Sequence, residues 1–284
     1  SQNADAFEKI GTKVLVSKSD KILICRDKNN TGDFFEFCGL KAPKTYNNYH
    51  EYPGPYPCFI KPKDGSSSIN AFKVNDEEQL AVYAEKIENY IIQPFICGRE
   101  FTIDIFCDFE GNPIYITPRE RMQVRAGEVL KTQIFMDKIM IDEAKKLCKA
   151  FKPCGPMTVQ LIQDRNTKDN YYIEINPRYG GGAPLSMKSG AKSAEALLKI
   201  LCGKSLFYQE NCSCNGAIYS RFDQSVCISE GDNTQPVRGV IFDLDDTLYS
   251  EKQYIMSGYK KIASYLGRDD AVEMLWKYFQ ARKP

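Results

Sequence analysis

Two segments constrain this chain more than any others: Thr158–Ile162 and Tyr171–Ile175, joined by the polar loop Asp164–Asn170. Each alternates polar and apolar side chains, the period of a half-buried strand. The polar loop between them makes a strand pair. In a strand, alternate residues face the same side. Glu174 and Asn176 are therefore expected on one face, with Ile173 and Ile175 on the other. Thr158 and Gln160 share a face of the partner strand. Cross-strand neighbours sit about 5 Å apart, so Gln160, Glu174 and Asn176 are expected to converge as an all-oxygen cluster. Hard cations such as Mg²⁺ take oxygen ligands and complete their shells with phosphate oxygens and water. Arg178, just past the strand end, would add a cation for a transferring phosphoryl group. The same pattern also suits an exposed polar strand face.

A second feature is Phe59-Ile60-Lys61-Pro62-Lys63-Asp64-Gly65-Ser66-Ser67-Ser68. A short apolar strand ends in a lysine, and a flexible loop follows. Gly65, Ser66, Ser67 and Ser68 could wrap phosphates with backbone N–H groups, and Lys61 would supply charge. The spacing is not that of a P-loop, and a serine-rich surface hairpin reads equally well. Arg26-Asp27-Lys28 offers a further phosphate cation at Lys28.

Around these features the chain reads as α+β with antiparallel hairpins. Strands are expected at 12–16, 21–25, 58–60, 90–96, 100–107 and 113–117, with Asp108–Asn112 as a hairpin turn. Helices are expected at 27–38, stopped by Gly39, and at 76–83, 136–151 and 191–201. Residues 209–234 are polar and glycine-containing, the best linker candidate. Val240–Asp243 begins a new buried strand, and 251–282 is helix-like.

Composition narrows the function classes. The 38 Lys+Arg against 37 Asp+Glu leave a formal net charge of +1, so no whole-protein field attracts nucleic acid or an anionic membrane. No apolar run reaches the roughly 18 residues of a membrane span. The 11 cysteines are an odd number, mostly single within apolar runs, and the N-terminus has no signal layout. Both point to the reducing cytoplasm. Cys212, Cys214 and Cys227 could chelate a metal, although a loop carrying thiols explains them as well. His50 is the only histidine, which leaves no Ser–His or Cys–His pairing for covalent catalysis.

Taken in order, these pieces resemble the ATP-grasp superfamily, and most of all the carbamoyl phosphate synthetase large subunit and its relatives, from about residue 12 to 222. Asp27-Lys28 followed by Gly39-Leu40-Lys41-Ala42-Pro43 is similar to the family's phosphate-touching entry segment. Lys61 and Gly65–Ser68 resemble its strand lysine and phosphate loop. Tyr90–Thr102 resembles its adenine hinge and the segment after it, except that Gln93 stands where an acidic residue is common. By that likeness the backbone around Gln93 and Phe95 reads the adenine edge, and Glu100 accepts from ribose hydroxyls. Gln160, Glu174 and Asn176 fall on the metal-ligand positions, Arg178 on the phosphate arginine, and Gly180-Gly181-Gly182 on the substrate loop.

The resemblance implies an ATP-grasp fold, two α+β subdomains clasping ATP with Gly65–Ser68 as a lid. It implies ATP and Mg²⁺ (or Mn²⁺) as cofactors. The expected reaction joins a carboxylate to an amine through an acyl phosphate. A carboxylate or carbamate kinase and a nucleotide-binding module are the alternatives. Catalytic charge falls to Lys28, Lys61 and Arg178. The expected partners are small-molecule carboxylate and amine substrates, with no nucleic acid and no membrane; a homodimer is compatible. The expected layout is a remnant of a preceding domain at 1–26, the ATP-grasp domain at 27–222, a linker at 223–237 and a further segment at 238–284. In that last segment Val240-Ile241-Phe242-Asp243-Leu244-Asp245-Asp246-Thr247 resembles the first motif of haloacid dehalogenase-like phosphatases. Asp243 would be the nucleophile and Asp245 the general acid/base. The segment is expected to be the truncated start of such a domain, and inactive by itself.

Overall fold

The computed structural model describes residues 3–64, 70–125 and 127–221, and in the C-terminal part residues 256, 259–260, 263–264, 267 and 270–281. The chain divides into two units, Ser1–Asp223 and Gln224–Pro284. In the second unit a helix runs over Ala271–Ala281, with an i,i+4 ion pair between Glu273 and Lys277 at 2.9 Å. Val240–Thr247, with Asp243 and Asp245, lies outside the described residues. No helix among the described residues is long and apolar enough to cross a membrane.

The first unit is built on two antiparallel sheets. The small one has the order β2-β1-β3, with β1 at Cys58–Pro62, β2 at Phe72–Val74 and β3 at Tyr90–Pro94. Helix α4 (Glu77–Lys86) packs on it. The Asp76 side chain caps α4 by accepting from the Gln79 N–H at 2.8 Å, the bond an N-cap carboxylate supplies. Cys58, Ile60, Leu80 and Ile92 form the core between them.

The large sheet has the order β8-β7-β4-β5-β6-β9. Its strands are β4 (Gly98–Cys107), β5 (Pro113–Arg125), β6 (Glu128–Ile134), β7 (Pro156–Asp164), β8 (Asn170–Asn176) and β9 (Ile218–Ser220). One face is covered by α5 (Lys138–Phe151), which buries Met140, Ile141, Ala144, Leu147, Cys148 and Phe151. That spacing is a helical stripe, and it meets Phe101, Ile103, Val159 and Leu161 from the sheet. Burial of each large side chain contributes about 1.5–3 kcal/mol. With this face sealed, Thr102, Asp104, Arg119, Thr158 and Gln160 turn to the other.

Helices α1 (Ala4–Lys9), α2 (Ser19–Arg26) and α3 (Lys28–Phe37) precede the small sheet, and α6 (Ala183–Ser189) and α7 (Ser193–Leu201) follow β8. The expected strands at 12–16 and 21–25 are absent. Residues 12–18 have no regular structure, and Lys21–Cys25 lie in α2. Short apolar runs do not distinguish a strand from a packed helix, and here Cys25 packs against the main core beside α3. Asp27 then caps α3, accepting from Asn29 N–H at 2.8 Å and Asn30 N–H at 3.4 Å. The stretch 209–221 is not simply a linker, because β9 pairs with β6 there.

Candidate active site

Between the two sheets lies a cleft of about 940 Å³. One wall comes from the small sheet and its exit segment: Phe59, Lys61, Pro62 and Gln93–Gly98. The other is the open face of the large sheet. Lys28, Lys61, Gln93, Phe95, Glu100, Gln160, Glu174, Asn176 and Arg178 all line this one cleft, as do Gly180–Gly182. Gly65, Ser66, Ser67 and Ser68 lie outside the described residues.

Register explains the floor. Gln160 stands opposite Glu174, and Thr158 opposite Asn176. On its other side Gln160 faces Thr102, and Thr102 faces Arg119. Paired residues share a face, so Glu174, Gln160, Thr102 and Arg119 form one row across four strands. The expected alternation fails at one point. A register shift beside Gln160 and Leu161 places Tyr172, not Ile173, opposite Leu161. Ile173 therefore lines the cleft with Glu174, while Ile175 remains in the core.

Lys28 is brought to the cleft by the turn between α2 and α3. Its N–H and its Nζ both donate to the Lys63 carbonyl, at 3.2 and 3.3 Å, and Lys63 Nζ pairs with Asp27 at 3.1 Å. This ties the start of α3 to the end of β1, which carries Lys61. Burial, reinforced by the charge of Lys28, pushes the Lys61 ammonium down to about 8, and Glu174 opposes that shift. Burial also lowers Lys28, against the pull of Glu174, Asp64 and Asp27. A carboxylate on β8 is thus electrostatically coupled to the lysine of β1 on the facing wall.

The remaining expected residues have defined partners. The Gln93 amide is buried and donates to Thr45 Oγ1 at 2.9 Å, so it braces the 43–45 segment. The Phe95 N–H donates to the Pro57 carbonyl at 3.2 Å and is not offered to the cleft. Lys73 Nζ sits 4.3 Å from the centre of the Phe95 ring. Glu100 Oε2 lies 3.5 Å from Arg121 Nε. Arg178 Nη1 donates to the Tyr179 carbonyl at 3.0 Å, and Thr158 Oγ1 donates to the Arg178 carbonyl at 3.1 Å. Gln160, Glu174 and Asn176 supply one carboxylate and two amide oxygens from two paired strands. That hard, oxygen-only donor set fits Mg²⁺ completed by phosphate and water. Among the described residues, no three His, Cys, Asp or Glu side chains gather as a metal site. Cys212 Sγ lies near the Thr117 and Ser213 hydroxyls, and Cys227 is outside the described residues.

The sequence reading missed Thr102, Arg119 and Arg121, which also line the cleft. Their signal was alternation: Arg119 and Arg121 are two apart on β5, which continues well past residue 117. Arg119 is almost fully buried, donating from Nε to Asp104 Oδ2 at 2.7 Å. Ser186 Oγ donates to the same carboxylate oxygen at 2.5 Å.

Residues 25–182 match the family model for the ATP-grasp domain. Over 224 residues the chain is 27% identical to the carbamoyl phosphate synthase large chain of Thermoplasma volcanium, a match covering 70% of this chain and 21% of that one. Over 215 residues it is 28% identical to the D-alanine–D-alanine ligase of Pseudothermotoga lettingae, covering 67% of this chain and 70% of that one. It therefore spans only about a fifth of the first relative's length. Among solved structures, the biotin carboxylase–β-γ-ATP complex from Campylobacter jejuni aligns with a TM-score of 0.62 at 20% identity, over 78% of this chain and 56% of that chain.

Proposed function

The chain belongs to the ATP-grasp family, and from that premise we propose that its cleft binds ATP and drives the ligation of a carboxylate to an amine through an acyl phosphate. The observation that carries this reading is the pairing of walls: Lys61 and Lys28 on one side, and the Gln160–Glu174 row with Asn176 on the other.

In this reading adenine lies against the 93–98 segment and the apolar pair Ile162 and Ile173, and Glu100 accepts from ribose hydroxyls. Lys28, Lys61 and Arg178 neutralise the phosphates. Mg²⁺ (or Mn²⁺), held by Gln160, Glu174 and Asn176, would add the cationic charge that γ-phosphoryl transfer needs. The acid's carboxylate oxygen attacks the γ-phosphorus, and the bond to the β,γ-bridging oxygen breaks, releasing ADP. An amine then attacks the acyl carbon, and phosphate leaves as the amine gives up a proton. These residues supply position and charge, and no covalent enzyme intermediate is required.

The test is a thermal-shift titration with MgATP. Ligand at about 100 times its Kd adds about 2.7 kcal/mol, a rise of several degrees for a domain of this size. An unchanged melting temperature at millimolar MgATP would overturn the reading. ADP release against a panel of acids and amines would then find the substrates.

A further inference from the structure

Three side-chain donors on the floor of the cleft are buried without a hydrogen-bond partner: Thr102 Oγ1, Arg119 Nη1 and Arg121 Nε. They are neighbours. Thr102 stands directly across from Arg119, and Arg121 lies two residues further along β5 on the same face. All three residues border the cleft. A buried donor left unpaired costs the desolvation of that group, and such groups ordinarily hold water or an ion. Thr102 Oγ1 and Arg119 Nη1, with Arg121 Nε beside them held only by Glu100 Oε2 at 3.5 Å, describe a cradle for an anion.

We infer that Arg119, Arg121 and Thr102 form the subsite that takes the carboxylate of the acid substrate. The identification of that anion as the reacting acid rests on the ligase reading above. The geometry favours a planar monoanion. Arg119 spends one edge of its guanidinium on Asp104, through Nε at 2.7 Å and Nη2 at 3.5 Å, and its outer corner Nη1 remains. Asp104 and Ser186 lock that orientation. Each arginine already has an acid near it, Asp104 and Glu100, so the pocket offers surplus donors more than surplus charge. A carboxylate or bicarbonate matches this better than a phosphate dianion.

The position also suits the reaction. Arg119 on β5 is two strands from Gln160 on β7. Strands lie about 4.8 Å apart, which puts the subsite roughly 10 Å from the metal-ligand positions, room for a γ-phosphoryl group between them. The glycine loop closes the far side: a Cβ on Gly182 would fall 2.4 Å from Arg119 Nη2.

The experiment is calorimetric titration of bicarbonate, acetate and glycine into the chain, with and without saturating MgADP. At least one probe is expected to bind, and which one separates bicarbonate from an organic acid. Thr102→Val, which keeps shape and removes the hydroxyl, and Arg119→Lys should each weaken that probe about tenfold while MgADP affinity changes by less than about twofold. If Arg119→Lys fails to fold, Thr102→Val decides alone. Absence of binding by all three probes overturns the inference, as does unchanged probe affinity in Thr102→Val. Parallel losses of probe and MgADP overturn it too, since the residues would then serve the fold. Failure of MgADP to bind, with Thr102-dependent anion binding intact, would instead remove the ATP reading and leave the anion subsite.

Discussion

Gln160 on β7 stands opposite Glu174 on β8, and the strand register slips immediately beyond the pair, so that Leu161 faces Tyr172. The slip is a bulge, and bulges re-aim side chains. Here it sends Ile173 to the cleft beside Glu174 and returns Tyr172 to the core. The Tyr172 ring packs 5.3 Å from that of Phe35, and its hydroxyl donates to Glu143 at 2.8 Å. One extra residue thereby sets an apolar surface next to a carboxylate, the combination a nucleotide needs.

Glu174→Ala should remove metal-dependent nucleotide binding more completely than Glu100→Ala. The first deletes the only carboxylate of the proposed metal set. The second deletes a largely exposed acid whose proposed hydrogen bond to ribose would be worth about 1.5–3 kcal/mol. Calorimetry of MgATP binding to both variants checks this. Equal losses would take Glu174 out of the metal site.

Lys61 should make ATP binding pH-dependent. Its pKa of about 8 lies below the ordinary 10.5, with burial as the main cause. Between those values the folded chain holds fewer protons than the unfolded one, so this group's contribution to stability rises with pH across that window. A bound polyphosphate favours the charged ammonium and reverses the shift. ATP affinity should therefore fall as pH rises through 8, with uptake of about half a proton per ATP near the midpoint. Titrations in buffers of different ionisation enthalpy would measure that uptake, and Lys61→Met should abolish it. Proton uptake surviving in Lys61→Met would assign the titration to another group.

What the sequence disclosed followed periodicity and order. Glu174, Asn176 and Gln160 were legible because strand alternation is local, and Lys61 because a strand lysine precedes a Gly/Ser loop. The bulge at Ile173 was not legible, since nothing in Tyr172-Ile173-Glu174 marks a register shift fixed by its neighbour β7. The run Ile22–Cys25 carries strand-like composition yet packs as helix α2, an outcome decided by tertiary contact. The end of β5 was missed because Arg119–Arg125 is polar; it faces a cleft that only the assembled sheets create. Alternation places Arg119 and Arg121 on one face of β5, but the pairing that buries Arg119 has no local signal, because its partner Asp104 is on another strand.

Asp104→Ala should destabilise the chain by about 3–5 kcal/mol, the cost of leaving a buried charge without its counterion. Asp104 accepts from both Arg119 and Ser186, so its loss strands two buried donors. Urea unfolding would show a lower midpoint with unchanged slope. Ser186→Ala should cost much less, about 1 kcal/mol, because the ion pair remains. A loss at Asp104 no larger than that at Ser186 would mean the guanidinium finds other partners.

Two glycines should respond to alanine with opposite signs. Gly98 opens β4 at the mouth of the cleft, opposite Asp164. A Cβ there would lie 2.0 Å from the Gln163 carbonyl oxygen and 2.8 Å from its carbon. The obstacle is backbone within a ladder and cannot swing aside, so β4 and β7 must separate locally. Gly98→Ala should cost about 1–3 kcal/mol and weaken MgATP binding, because the displaced strand carries Glu100. Gly32 sits inside α3, where an added Cβ meets nothing within 4 Å. There the methyl group only restricts the unfolded chain and improves helix propensity, so Gly32→Ala should stabilise by about 0.5–1 kcal/mol. Thermal unfolding of the two variants beside the parent checks both signs. A neutral Gly98→Ala would show that the β4–β7 register is looser than its close backbone approach implies.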